Sequence, residues 1–169
     1  MDMKKFKSFI IVALVLLIGG AQPIFAQSKK EKREQKEKEV KELLSSGNFS
    51  IEVNRALPMG GKSVNLTSPY SLEMRGDSAI SYLPYFGRAY SVPYGGGDGL
   101  RFEEPIKNYT VTENKKGTTE IKFEVRTKED NYTYNIDVFK NGSSTINVQP
   151  VNKQSITFHG NLVPKKENP

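Results

Sequence analysis

From Asn48 to Phe158 the apolar residues of this chain recur at every second position, in separate runs divided by turn-forming residues. Phe49, Ile51 and Val53 form the first run. Ile121, Phe123 and Val125 follow, then Tyr132, Tyr134, Ile136 and Val138, then Ile146 and Val148, then Ile156 and Phe158. A period of two places these side chains on one face of a strand, which describes antiparallel β-structure with one buried and one wet face. Turn chemistry lies between the runs, at Gly76-Asp77, Lys115-Lys116-Gly117, Glu129-Asp130-Asn131 and Asn141-Gly142. The last pair is the strongest local hairpin signal, because a type I′ turn needs two residues that tolerate positive φ.

The pattern predicts roughly eight to ten strands, over about 49–56, 63–67, 70–75, 79–83, 99–103, 107–114, 119–127, 132–139, 144–149 and 155–159. Short hairpins pair neighbours as a meander, and so many twisted strands must curl or split to bury their apolar face. The expected class is all-β: a curled antiparallel meander, a lipocalin-like barrel or half-barrel, with a two-sheet β-sandwich as the alternative. One β domain over 48–164 is long enough for its own core.

Two segments precede that domain. Lys4, Lys5 and Lys7 lead into an apolar run from Phe9 to Ile18, and Gly19-Gly20-Ala21 leads to a cut after Ala26. This is the order of a secretory signal peptide over 1–26, and the run is shorter than the ~20 residues a spanning helix needs. Export to the periplasm or the cell exterior is expected, with no integral membrane segment after cleavage. The chain has no Cys, so neither a disulfide nor a lipid-modified cysteine enters the expectation. Residues 27–47 read as a charged helical lead-in, in which Lys30/Glu34, Glu34/Lys38, Arg33/Glu37 and Glu37/Lys41 stand four apart. Only Val40, Leu43 and Leu44 near its end are apolar, and Gly47 is its natural stop. Residues 165–169 read as a disordered tail.

Composition excludes several functions. Loss of the signal removes Asp2 and three lysines, so the net charge falls from +6 to about +4, and the basic residues of the lead-in alternate with Glu; nucleic acid is not an expected partner. A cysteine nucleophile is impossible. His159 is the only histidine, with no G-x-S-x-G elbow to present a serine, so neither a triad nor a zinc site is expected. Glu103 and Glu104 are adjacent and on a strand point to opposite faces, so a hydrolytic carboxylate pair would need a distant partner such as Asp98. Gly95 to Gly99 lacks the following Gly-Lys-Ser/Thr of a phosphate loop and the spaced acids of a calcium loop. No catalytic residue, metal ligand or cofactor site is expected.

One stretch stands apart from these structural demands. Tyr82 to Gly99 reads Y-L-P-Y-F-G-R-A-Y-S-V-P-Y-G-G-G-D-G and holds four of the chain's eight tyrosines. Tyrosine gives rigid, amphipathic contact area at low entropic cost, and Arg88 offers a polar anchor. Tyr82, Tyr85, Phe86, Arg88, Tyr90, Tyr94 and Asp98 are therefore the candidate ligand-binding residues. A loop folded back to seal the barrel explains the same composition.

The Lys/Glu-rich helix ending in S-G-N-F, then R-A-L-P-M-G-G (55–61), L-T-S-P-Y-S-L (66–72), the 82–99 stretch and N-K-Q-S-I-T-F-H-G (152–160) together resemble a family of small secreted Bacteroidetes proteins, domain of unknown function 4251. The resemblance spans nearly the whole mature chain. It implies a compact β-barrel-like domain behind a signal peptide and implies no activity. The reading is a non-catalytic envelope protein that binds a small ligand, a glycan or another envelope protein through the barrel mouth and the 82–99 loop. An assembly role, or a hydrolase built on Asp98 and Glu103, are the alternatives.

Overall fold

The alternating runs become eight antiparallel strands: β1 (Asn48–Pro58), β2 (Val64–Arg75), β3 (Ser78–Leu83), β4 (Leu100–Glu113), β5 (Thr119–Arg126), β6 (Asn131–Val138), β7 (Ser143–Pro150) and β8 (Ile156–Pro164). Each pairs with its neighbour in sequence, and β1 pairs with β8, so the meander closes into a barrel. The computed structural model describes residues 29–90 and 99–165. The expected signal peptide, Tyr94, Asp98 and residues 166–169 lie outside the described residues. The chain separates into two units, Met1–Lys32 and Arg33–Pro169, and the packing below concerns the second.

Every residue of the five alternating runs is buried inside the barrel. Phe123 and Tyr134, directly paired across β5 and β6, stack with ring centroids 4.9 Å apart. Phe102 adds a ring 5.7 Å from Tyr132, and the Tyr134 hydroxyl reaches Ser81 Oγ at 3.5 Å. Such aromatic pairs contribute about 1 kcal/mol each beyond their buried area. Burial pushes the Tyr134 phenol far above its ordinary pKa, since an anion there would lose its hydration.

The eight strands fall within the eight to ten expected, and a proline marks each place where two of the ten segments join. Segments 63–67 and 70–75 form one strand, β2, whose Pro69 sits where the β1 register slips between Val53↔Tyr70 and Arg55↔Asn65. The missing N–H breaks no ladder bond there. Segments 99–103 and 107–114 form β4, which changes partner at Pro105: residues up to Pro105 pair with β3, and those from Ile106 with β5. The Asn141-Gly142 turn also differs from expectation. Among the described residues Asn108 is the only non-glycine with positive φ, so Asn141 does not adopt a type I′ conformation. Phe139 and Ser143 instead close a three-residue loop with Gly142 left-handed at its end, and Asn114 to Thr118 repeat that loop around Gly117.

The helix α1 (Lys29–Ser46) docks its apolar residues on the barrel near its C-terminal end. Val40 is buried, Leu43 and Leu44 pack against the core, and Glu37 bridges Lys140 at 3.0 Å and Lys41 at 3.4 Å. These cations hold the Glu37 carboxyl below its usual range.

Closure depends on one residue without a side chain. Gly160 pairs with Val53 where β1 carries its bulge, and a Cβ at Gly160 would run into the Glu52 carbonyl. The bulge bends β1 back toward β8, and only glycine lets the two backbones come that close. Gly160→Ala should therefore cost about 2 kcal/mol, the range of overpacked core substitutions. Urea unfolding measures it; an unchanged midpoint would mean that the ladder relaxes freely around the methyl.

Candidate functional site

The meander sends the β3–β4, β5–β6 and β7–β8 loops to one end of the barrel, and this end holds the described part of the tyrosine-rich segment, up to Tyr90. From Tyr85 to Tyr90 the chain crosses that end and pairs with residues 152–154. The Tyr90 amide donates to the Asn152 carbonyl at 2.8 Å, and the Gln154 amide donates to the Arg88 carbonyl at 2.9 Å. The Arg88 amide donates to Gln154 Oε1 at 3.3 Å, and Ala89 bridges Lys153. The result is a strap held by backbone groups, so its register does not depend on the side chains it displays.

Tyr85 fastens the strap from below. Its hydroxyl donates toward the Gln154 and Arg88 carbonyls at 2.9 and 3.1 Å, and burial raises its pKa. Beneath it Lys153 is 7% exposed. The Lys153 ammonium lies 3.6 Å from Glu129 Oε2 and 3.4 Å from the Gly99 carbonyl, and 5.7 and 6.0 Å from the ring centres of Tyr85 and Tyr132. Tyr132 also donates to the Gly99 carbonyl, and burial, reinforced by the negative charge of Asp130, pushes its phenol up to about 12. Asp130, also buried, accepts bonds from the amides of Asn131, Val151 and Asn152 and from the Asn152 side chain, at 2.8 to 3.2 Å. The ammonium is paired and the carboxylate held by backbone amides. This network ties three loops together.

The other candidate residues among the described ones face outward. Tyr90 is 70% exposed, Phe86 sits at the edge of exposure, and the Arg88 side chain is exposed while its backbone holds the strap. Tyr82 is 44% exposed at the barrel rim, with Arg101, its direct cross-strand partner, 4.4 Å from its ring centre. The Tyr70 ring stacks on Tyr82 at 5.5 Å. Tyr82 is thus clamped between a second phenol and a guanidinium, with its edge presented to solvent. Glu103 points outward and meets Arg75 at 3.5 Å.

Ser71, the cross-strand partner of Tyr82 on β2, opens onto a groove of about 880 Å³ on the outer face of β8, β1 and β2. Ser50, Glu52, Glu73, Arg75 and Lys165 line it, with Pro69 at the Tyr70 end. Glu73 is bridged by Arg75 at 3.0 Å and by Lys165 at 3.5 Å. Sequence reasoning missed Tyr70, Arg101, Lys153 and Asp130. Tyr70 and Arg101 are brought to Tyr82 only by strand register, Asp130 read as an ordinary turn residue, and Lys153 stood only in the 152–160 stretch that carried the family resemblance.

A family model, "Domain of unknown function (DUF4251)", matches residues 31–162. The chain belongs to the DUF4251 family. A solved structure of a DUF4251 family protein from Bacteroides eggerthii has the same fold, with a TM-score of 0.60 at 15% identity over 77% of this chain and 88% of that one. A search of curated proteins found no match.

The geometry divides the DUF4251 tyrosine segment into two parts with opposite responses to truncation. Tyr85→Ala should cost about 2 kcal/mol, somewhat less than a fully buried aromatic. Tyr90→Ala should stay within about 0.5 kcal/mol, as exposed positions do. Chemical denaturation compares them, and equal losses would mean that the strap is not fastened from beneath.

Proposed function

We propose that this protein is an exported, non-catalytic binding protein whose ligand is a glycan of the cell envelope, held along the outer groove and against the Tyr82 rim. The observation that carries the reading is the Tyr70–Tyr82–Arg101 clamp, with Tyr82 and Arg101 exposed and Tyr70 half-buried, next to Pro69 and Ser71 of a polar groove. A phenol edge beside a guanidinium suits a ring with both apolar C–H faces and hydroxyls, and the groove supplies serine hydroxyls and charges of both signs along a chain-like path. Phe86, Arg88 and Tyr90 extend the same rim along the strap. Tyr94 and Asp98, on the same loop, complete the proposed set.

Export rests on the order of charged, apolar and small residues before Ala26. N-terminal sequencing of protein recovered from its own cell envelope should begin at Gln27. A chain still starting at Met1 would contradict export.

Titrating the labelled protein with galacturonan and chitin oligosaccharides tests the binding reading by NMR. Shifts should gather at Ser71, Tyr82 and Arg101 and disappear in Tyr82→Ala and Arg101→Ala. Those variants should keep stability within about 0.5 kcal/mol, whereas Ile136→Ala in the core should lose about 3 kcal/mol. A panel that leaves these residues unperturbed, or rim variants as unstable as the core control, would overturn the proposal and leave the clamp as a packing device.

A further inference from the structure

β4 is longer than the neighbour that covers it. β3 has six residues and pairs with β4 only as far as Pro105, yet β4 continues to Glu113 with β5 along one side. On the other side, among the described residues, the Ile106 amide donates to the Asp77 carbonyl, and no ladder pairs with the strand beyond it. Lys107 to Glu113 are all exposed, Val111 at 49% and Tyr109 at 42% although both belong to apolar types.

The direction of the backbone groups follows from the hairpin. The Asn114 amide donates to the Thr118 carbonyl. By antiparallel alternation Thr112 and Thr110 then bond to β5, and the amides and carbonyls of Tyr109, Val111 and Glu113 point away from the barrel. Natural sheets guard such an edge with lysine, a bulge or proline. Here Lys107 and the bulge at Asn108, with φ of 53°, guard only its beginning. The five residues that follow, Tyr-Thr-Val-Thr-Glu, suit a strand and contain no proline, and from Thr110 to Glu113 they run in regular register.

We propose that this edge pairs with the same edge of a second copy, antiparallel, about a two-fold axis through Val111. Two conditions select the register: outward-pointing backbone groups must meet their like, and side chains that meet must share a face of the sheet. With the axis at Val111 all three outward residues are used. Val111 meets its own counterpart, Tyr109 meets Glu113 of the partner subunit, and Thr110 meets Thr112 of the partner subunit. These are favourable cross-strand pairs with no like charges opposed, so the residues complement themselves as a two-fold contact requires. An axis at Thr110 would pair only Tyr109 and Val111 and would carry the ladder across the bulge to left-handed Asn108 and Lys107.

The natural chain contains no cysteine, so single cysteines report the register directly. In the full mature protein, Val111→Cys should form a disulfide dimer under mild oxidation, because residues opposed on a ladder lie ~5.5 Å apart at Cα, within disulfide range. Tyr109→Cys and Glu113→Cys should each stay monomeric alone, with their counterparts ~14 Å apart, and should cross-link to each other when mixed. Light scattering of the cysteine-free protein should show its mass doubling over a series reaching about 1 mM, the weak end of specific association. Val111→Pro removes an outward N–H that the barrel does not use, so it should abolish doubling and keep the native circular dichroism spectrum. Persistence of a monomer through the series, cross-linking at Thr110→Cys in preference to Val111→Cys, or a folded Val111→Pro that still dimerises would each overturn the proposal.

Discussion

The ladder between β1 and β8 is the contact on which the rest of the barrel depends. The other ladders join neighbours in sequence across loops, whereas this one joins the ends of the domain and converts a curled sheet into a closed wall. Closure lets Phe49, Phe123, Tyr134 and Phe158, from four different strands, share one interior. It also removes two edges, and an open edge invites association with other chains. At the extra residue Asn54 in β1, between Val53 and Arg55, the first and last strands approach closely, and Gly160 has no side chain to hold them apart.

The two ends of the barrel are finished by different physics. At one end α1 docks Val40, Leu43 and Leu44, and its ion pairs are solvent-exposed, so they orient the helix more than they stabilise it. At the other end the tyrosine strap lies over a polar network. Burying Lys153 and Asp130 carries a desolvation cost, which Glu129, the Gly99 carbonyl and the amides of residues 131, 151 and 152 offset. Because the strap is fixed through its backbone, Phe86, Arg88 and Tyr90 are free to differ without moving it. The clamp of half-buried Tyr70 with exposed Tyr82 and Arg101 then stands on a rigid wall, the arrangement that recognition sites favour.

The fold was legible in the sequence because the alternation is a local signal. Phe49 to Val53, Ile121 to Val125 and Tyr132 to Val138 declared their faces directly, and Gly47, Gly76, Gly117 and Gly142 marked turns that the structure places there with positive φ. Strand ends were less legible. Pro69 and Pro105 look like breaks, and only pairing shows that one lies at a slip in register and the other at a change of partner. The site was least legible, because Tyr82 meets Arg101 and Lys153 meets Tyr85 through register and topology, which no spacing along the chain encodes. The tyrosine-rich segment was visible as a composition. Its division into a buried fastener, Tyr85, and an exposed ring, Tyr90, required the geometry of the strap.

Native-state amide hydrogen exchange, read residue by residue, tests most directly whether closure and core are one unit. If β1–β8 pairing is integral to the barrel, the amides bonded across that ladder, around Ile51 and Leu162, will exchange only through global unfolding. Their opening free energy will then equal that of the β5–β6 amides around Phe123 and Tyr134. Exchange of the β1–β8 amides at a distinctly lower free energy, with β5–β6 still protected, would contradict the account. It would show a barrel that opens at its seam while the rest of the sheet stays folded.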